Sequence, residues 1–150
     1  MTDPNILVLL KSDHEQIKVY LNQITSDIGM DLIFQIFKQV QKELSIHTSI
    51  EEQYFYPKLQ EVPDLKDMIL ESFEEHKLVE KELFAIEDDF LKKEVTKDEI
   101  IAEITVLKEN ILHHIIKEEN ELFPKVIKVL NDEELKSIGE QALETKDDEK

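Results

Sequence analysis

The chain has 150 residues, 35 of them acidic and 18 basic, for a formal charge of −17, which repels phosphate backbones and anionic lipid and argues against nucleic acid or a membrane surface as a partner. The absence of cysteine excludes disulfides, thiolate metal sites and a cysteine nucleophile. The length suits a single domain over residues 1–150 with a real core, and two glycines, four prolines and no tryptophan amid abundant Leu, Ile, Lys and Glu describe an all-α chain of long helices. No apolar run approaches the roughly 18 residues of a spanning helix. No basic region precedes the short apolar run near the N-terminus, so a cytoplasmic location is expected.

The first helix is predicted to start near Asp3-Pro4 and to stop at Gly29, a natural C-cap. Within it Leu7, Leu10, His14, Ile17, Leu21, Ile24 and Ile28 step by three and four, the spacing of a bundle seam. Asp31 can cap the second helix, whose seam reads Ile33, Phe37, Val40, Leu44, His47, Glu51, Tyr54, and Pro57 should kink or end it. Val62-Pro63-Asp64 reads as a connection, with Asp64 as the next cap. The third seam is Ile69, Phe73, His76, Val79, Leu83, Ile86 and Phe90, with Ser72 competing with Phe73 for one core position. Thr96-x-x-Glu99 is a capping-box pattern that opens a fourth helix with seam Ile100, Ile104, Leu107, Ile111, His114, Glu118. Asn131-x-x-Glu134 caps a short fifth helix, which fades into a charged tail from Thr145 that is expected to fray. Four long helices over about residues 4–130 pack most economically as an antiparallel up-down-up-down bundle.

Each seam carries histidine, and two stretches repeat one plan. His47-Thr-Ser-Ile-Glu51-Glu52 and His114-Ile-Ile-Lys-Glu118-Glu119 are each followed by an aromatic residue and then proline, Tyr56-Pro57 and Phe123-Pro124. A histidine and a glutamate four apart lie one turn above the other on a helix face. Distances from the turns put all of them in one layer. His14 is 15 residues before Gly29 and His47 is 16 after Asp31, while His76 is 20 before Thr96 and His114 is 18 after it. At ~1.5 Å rise per residue, the mismatches are roughly 2 to 3 Å.

Taken singly, a histidine on an apolar face is a core residue with one hydrogen bond. Six ionisable side chains at one depth are different, because two buried carboxylates cost several kcal/mol each unless paired, and two divalent cations offset that cost. A self-satisfied His/Glu network without metal is the structural alternative. Imidazole and carboxylate without thiolate suit iron, manganese or zinc. About eight donor atoms against about twelve positions on two ions leave room for a small ligand. His113 is rotated about 100° from His114 and reads as a boundary residue. Tyr54 reads as core packing or as a hydrogen-bond donor to a ligand, Glu80 as a surface acid or an extra ligand. Glu52 and Glu119 either orient ligands or charge the outer face. Phe55, Phe73 and Phe123 either keep the site dry or fill space.

The single His14, the His47-x-x-x-Glu51 pair, the single His76 and the His114-x-x-x-Glu118 pair, with Glu and Pro trailing each pair, resemble the hemerythrin-like, or HHE cation-binding, domain. The resemblance implies a left-handed four-helix bundle with a bridged non-haem di-iron centre, ligated by His14, His47, Glu51, His76, His114 and Glu118. Ferritin-like bundles resemble the chain less, since their pairs run Glu-x-x-His. The oxygen-carrying hemerythrins have a second histidine one turn along the third helix, where this chain has Ser72 and Glu80, and an aspartate one residue further on as the last ligand, where this chain has Glu118. The pattern of four histidines and two glutamates is similar to that of bacterial proteins implicated in iron-sulfur cluster repair and nitric oxide handling, whose cysteine-bearing extension is absent here. The expected function is therefore a di-iron protein that binds or senses a small diatomic, oxygen or nitric oxide. The alternative is an oxidoreductase or iron-handling protein that reduces nitric oxide or peroxide, oxidises ferrous iron or repairs iron-sulfur centres. The sequence names no redox partner.

Overall fold

The computed structural model describes residues 3–149, so Met1, Thr2 and Lys150 lie outside the described residues. All regular structure among the described residues is helical. α1 (Ile6–Gln23) is capped by Asn5, whose side chain accepts a hydrogen bond from the Leu7 amide at 2.8 Å. α2 (Met30–Ile50) continues through a wide turn, π1 (Glu51–Phe55), into α3 (Tyr56–Gln60), so residues 30–60 form one rod. α4 (Lys66–Lys92) ends at Lys93, which adopts the left-handed conformation at φ 58°. α5 (Lys97–Lys117) passes in the same way through π2 (Glu118–Leu122) into α6 (Phe123–Val129), and α7 (Asp132–Asp148) comes last.

The rods 6–23, 30–60, 66–92 and 97–129 make the expected antiparallel up-down-up-down bundle. α1 and α4 each pack between α2 and α5, as short links demand. α7 lies outside the four, against α1, α2 and π1. No helix among the described residues is long and apolar enough to cross a membrane.

Several boundaries depart from the sequence expectation, each for a local reason. Asn5 starts α1 in place of Asp3, and α1 stops at Gln23 because Ile24 turns extended at φ −84°, ψ 108°. Gly29 therefore does not end α1. It sits at φ −75°, ψ 161° as the N-cap of α2, with Asp31 inside the first turn, where its charge complements the helix dipole. Leu65, not Asp64, precedes α4. Thr96 accepts from the Glu99 amide at 3.2 Å, but the Glu99 carboxylate turns to the Thr96 hydroxyl at 3.1 Å and leaves the box half made. The Asn131–Glu134 box is complete. The expected frayed tail is ordered helix as far as Asp148, because Thr145 donates to the Tyr54 hydroxyl at 2.9 Å and Lys146 pairs with Asp13 at 2.5 Å.

The apolar core is divided in two. Ile6, Leu10, Ile50, Phe55, Leu59, Ile69, Leu122, Val126 and the inner face of α7 form one cluster. Ile17, Leu21, Phe37, Val40, Leu44, Leu83, Ile104, Leu107 and Ile111 form the other. Between them lies a buried polar layer, which the chain crosses once on each rod. Of the two side chains competing in the third seam, Ser72 is buried and closes onto the Met68 carbonyl at 3.0 Å, while Phe73 is half-buried and packs edge-on against Tyr56.

α7 is seated by a glycine. A Cβ on Gly139 would fall 1.3 Å from the Pro4 carbonyl oxygen, a backbone atom with little freedom to move. Gly139→Ala should therefore destabilise the fold by about 1–3 kcal/mol. Urea unfolding checks this, and an unchanged midpoint would show that α7 does not dock so closely.

Candidate metal centre

The polar layer is built from one side chain of α1 (His14), one of α2 (His47), one of α4 (His76) and one of α5 (His114), plus the first residue of each wide turn, Glu51 and Glu118. None is more than 8% exposed. Their ligand atoms fall into two groups, each within 4.8 Å: His14, His47 and Glu118, and Glu51, His76 and His114. The carboxylates tie the groups together. Glu51 Oε1 is 3.3 Å from His47 Nε2 and 3.2 Å from His76 Nε2. Glu118 Oε1 is 3.1 Å from His14 Nε2, and its Oε2 is 3.4 Å from His114 Nε2.

The wide turns set this geometry. The Tyr56 amide bonds to the Glu51 carbonyl and the Phe123 amide to the Glu118 carbonyl, both i→i+5. One residue is thereby inserted into the helix, a device that recurs at functional sites. Proline follows each closure at Pro57 and Pro124 and has no amide hydrogen to give the carbonyl four residues back. The insertion rotates the residues beyond it. Tyr54, expected on the seam, is only half-buried and turns to α7, while Phe55 and Tyr56 are fully buried.

Behind every imidazole stands a second carboxylate. His14 Nδ1 is 2.6 Å from Glu119, His47 Nδ1 2.9 Å from Asp13, His76 Nδ1 2.7 Å from Glu52 and His114 Nδ1 2.7 Å from Glu75. A carboxylate only accepts, so each Nδ1 carries the proton and donates it, and each Nε2 is left facing inward. Glu52 and Glu119 thus orient rings from beyond the layer. The same role for Asp13 and Glu75 escaped the sequence reading, although each directly precedes a seam histidine, because each serves the histidine of the neighbouring rod. Two lysines complete the arrangement: Lys146 of α7 on Asp13 at 2.5 Å and Lys117 on Glu75 at 3.5 Å. His113 is exposed and faces a surface groove with Lys117 and Glu121, and Glu80 is exposed on α4.

The electrostatics arise from packing acids around imidazoles. Burial favours neutral His114, but the Glu118 charge, hydrogen bonds to Glu118 and Glu75 and the Glu51 charge outweigh it and raise its pKa to about 10. Burial is likewise overcome at His47 by the charge of Glu51 and the hydrogen bond to Asp13, and at His76 by hydrogen bonds to Glu51 and Glu52, so both are raised. Burial opposes ionisation of Glu118, yet contacts with Glu51, His114 and His14 hold it well below the usual carboxylate range. For Tyr56, burial and the charges of Glu118 and Glu51 all push upward.

Protein atoms alone leave the layer unsatisfied. His47 Nε2 and both oxygens of Glu51 are buried without a hydrogen bond, although His47 Nε2 and Glu51 Oε1 are only 3.3 Å apart. Unpaired buried charge costs several kcal/mol, and a cation bound by nitrogen and oxygen donors removes that cost. The donor set, imidazole and carboxylate with held rings, fits iron, manganese or zinc.

Residues 5–126 match the family model described as Hemerythrin HHE cation binding domain. No curated protein and no solved structure matches the chain significantly.

Two outcomes are expected. His47→Ala and His114→Ala should each lose at least one bound ion per chain, while exposed His113→Ala keeps the full content, as elemental analysis will read; equal losses in all three would contradict the assignment. The metal-free protein should also show a defined pH profile. Raised histidine pKa values stabilise the fold fully below the ordinary 6.5 and lose that contribution as pH rises toward about 10. The lowered Glu118 stabilises above its ordinary 4.5 and loses its contribution as pH falls. Chelator-treated protein should therefore melt highest between about pH 4.5 and 6.5, whereas ion binding, which needs unprotonated Nε2, strengthens with rising pH. A thermal melt of the metal-free protein that is flat from pH 6.5 to 10 would contradict this.

Proposed function

The chain belongs to the hemerythrin HHE cation-binding family, and we propose that it holds two iron ions and binds or senses a small diatomic, oxygen or nitric oxide, beside them. His14 and His47 would hold one ion and His76 and His114 the other, with Glu51 and Glu118 between the two pairs. Manganese and zinc fit the same donors. The reading includes a cytoplasmic setting, and on the charge of −17 no nucleic acid or membrane partner.

The observation that carries the diatomic is a cavity of about 30 Å³ against all four histidines, walled by Ile17, Leu44, Val79, Ile111 and Ile115. A water needs about 10–15 Å³ of such space, so the cavity takes one water or a diatomic and nothing much larger. Bound iron supplies the affinity for such a molecule and the electrons to share with it. The chain supplies the rest. Glu119, Asp13, Glu52 and Glu75 fix the imidazole rings, and the aliphatic wall keeps bulk water and its protons from the inner face. A depression of about 270 Å³ between α2 and α4 shares Leu44, Thr48, His76 and Val79 with the cavity and opens past Glu52 and Glu80. It is the natural entrance.

Protein from iron-replete medium should contain two iron ions per chain. In the ferrous state it should form an optical adduct with oxygen or nitric oxide that argon sparging reverses. Rapid irreversible oxidation or nitrous oxide release would favour redox turnover in its place. Val79→Phe, which narrows the entrance, should slow adduct formation while leaving iron content unchanged; an unaltered rate would exclude this route.

A further inference from the structure

We propose that Tyr56 is a metal ligand through its phenolate oxygen, bound to the ion of the His76/His114 pair, so that the two ion sites are chemically unequal. The inference rests on the di-iron reading above and adds a donor to it.

Tyr56 opens α3, directly after the wide turn that Glu51 begins, and is 0% exposed. Its ring stacks on His76 with centroids 5.4 Å apart, and Phe73 packs edge-on against it. The hydroxyl is 3.3 Å from His76 Nε2 and 2.5 Å from Glu118 Oε2. Donors to one first-row ion sit roughly 2.0–2.2 Å from it, so adjacent donors at right angles lie roughly 3 Å apart. The spacings in this half of the layer are of that kind: His76 Nε2 to His114 Nε2 is 3.3 Å, His76 Nε2 to Glu51 Oε1 is 3.2 Å and His114 Nε2 to Glu118 Oε2 is 3.4 Å. The phenol oxygen belongs to the same polyhedron. Without an ion, its proton is donated to Glu118. When a ferric ion binds, an iron–oxygen bond replaces the O–H bond and the proton leaves to solvent, with no change of oxidation state.

The repeat shows that this donor is one-sided. Five residues after Glu51 stands Tyr56, but five after Glu118 stands Phe123, whose ring lies parallel to His14 with centroids 6.2 Å apart. The His76/His114 ion therefore gathers His76, His114, Glu51, Glu118 and Tyr56. The His14/His47 ion has the two imidazoles and the two shared carboxylates only, and is the one left open to an incoming ligand.

Full-length protein, loaded with ferrous iron and oxidised with ferricyanide, tests this by its visible spectrum. Wild type and Tyr54→Phe should show a phenolate-to-ferric charge-transfer band. Tyr56→Phe should retain two ions and lose the band. Two ferric ions without a band in wild type, or a band that survives Tyr56→Phe, would overturn the proposal and leave Tyr56 a hydrogen-bond donor to Glu118. Should Tyr56→Phe not fold, resonance Raman on wild type, Tyr20→Phe and Tyr54→Phe decides: phenolate ring modes in all three leave Tyr56 as their source, and their absence excludes it. Fewer than one iron per chain would sink the di-iron reading as well, which separates the two failures.

Discussion

The burial of Glu51 and Glu118, at 0% and 1% exposure, is the constraint to which the rest of the structure answers. Two carboxylates in the middle of an apolar bundle cost several kcal/mol each unless opposite charge reaches them. Four imidazoles surround them from four rods, each held from behind by another carboxylate, and Lys117 and Lys146 reach two of these in turn. Carboxylate, imidazole and outer carboxylate follow one another outward from the centre, so removal of one member leaves its neighbour without a partner. The layer also splits the core, with Leu10 and Phe55 on one side and Ile17 and Leu44 on the other. Each apolar half fixes the height at which its rods present these side chains.

A regular helix does not build this layer alone. His47 and Glu51 lie one turn apart on α2, and the seam would next place Tyr54 inward. The inserted residue in π1 turns Tyr54 toward α7 and brings Phe55 and Tyr56 into the core. The same insertion in π2 buries Leu122 and Phe123. The amide hydrogens missing at Pro57 and Pro124 and the demands of the centre are thus met by the same turn. The prolines do not end the rods; they come after a widened turn that has already absorbed the lost hydrogen bond.

Much of this was legible in the sequence because it is periodic. The seams through Leu7–Leu21, Ile33–Glu51 and Ile100–Glu118 required only steps of three and four, and turn-to-ligand distances brought the six side chains to one level. What escaped was information that crosses between rods or departs from the period. Asp13 and Glu75 sit about 100° off their seams, each beside a seam histidine, and their contacts are with His47 and His114 of the neighbouring rods. Their shared place just before His14 and His76 was the available signal. Tyr56 was hidden by the insertion, which no α-helical period predicts. Gly29 looked like a stop because a glycine serves either end of a helix, and the extended Ile24 that decided the matter carries no distinctive residue type.

The places where the two halves differ carry more information than those where they agree. Asp13, His14, His47, Glu51 and Glu52 correspond one for one to Glu75, His76, His114, Glu118 and Glu119, including the way each outer acid reaches the histidine of another rod. The correspondence fails at the lysine. Lys117 precedes Glu118 and meets Glu75, whereas Ile50 precedes Glu51 and is buried in the cluster that holds Leu135, Ile138 and Ala142 of α7. A lysine at position 50 would have to be buried beneath that helix. The charge for Asp13 comes instead from Lys146, near the end of α7, in a segment beyond residues 5–126 of the family match. The fifth helix therefore does two things that cannot be separated: it covers an apolar flank of the bundle, and it supplies a cation that joins His47 in lowering the pKa of Asp13 against the effect of burial. In this chain the outer electrostatics behind His47 depend on a helix docked through Gly139, while those behind His114 are built into α4 and α5.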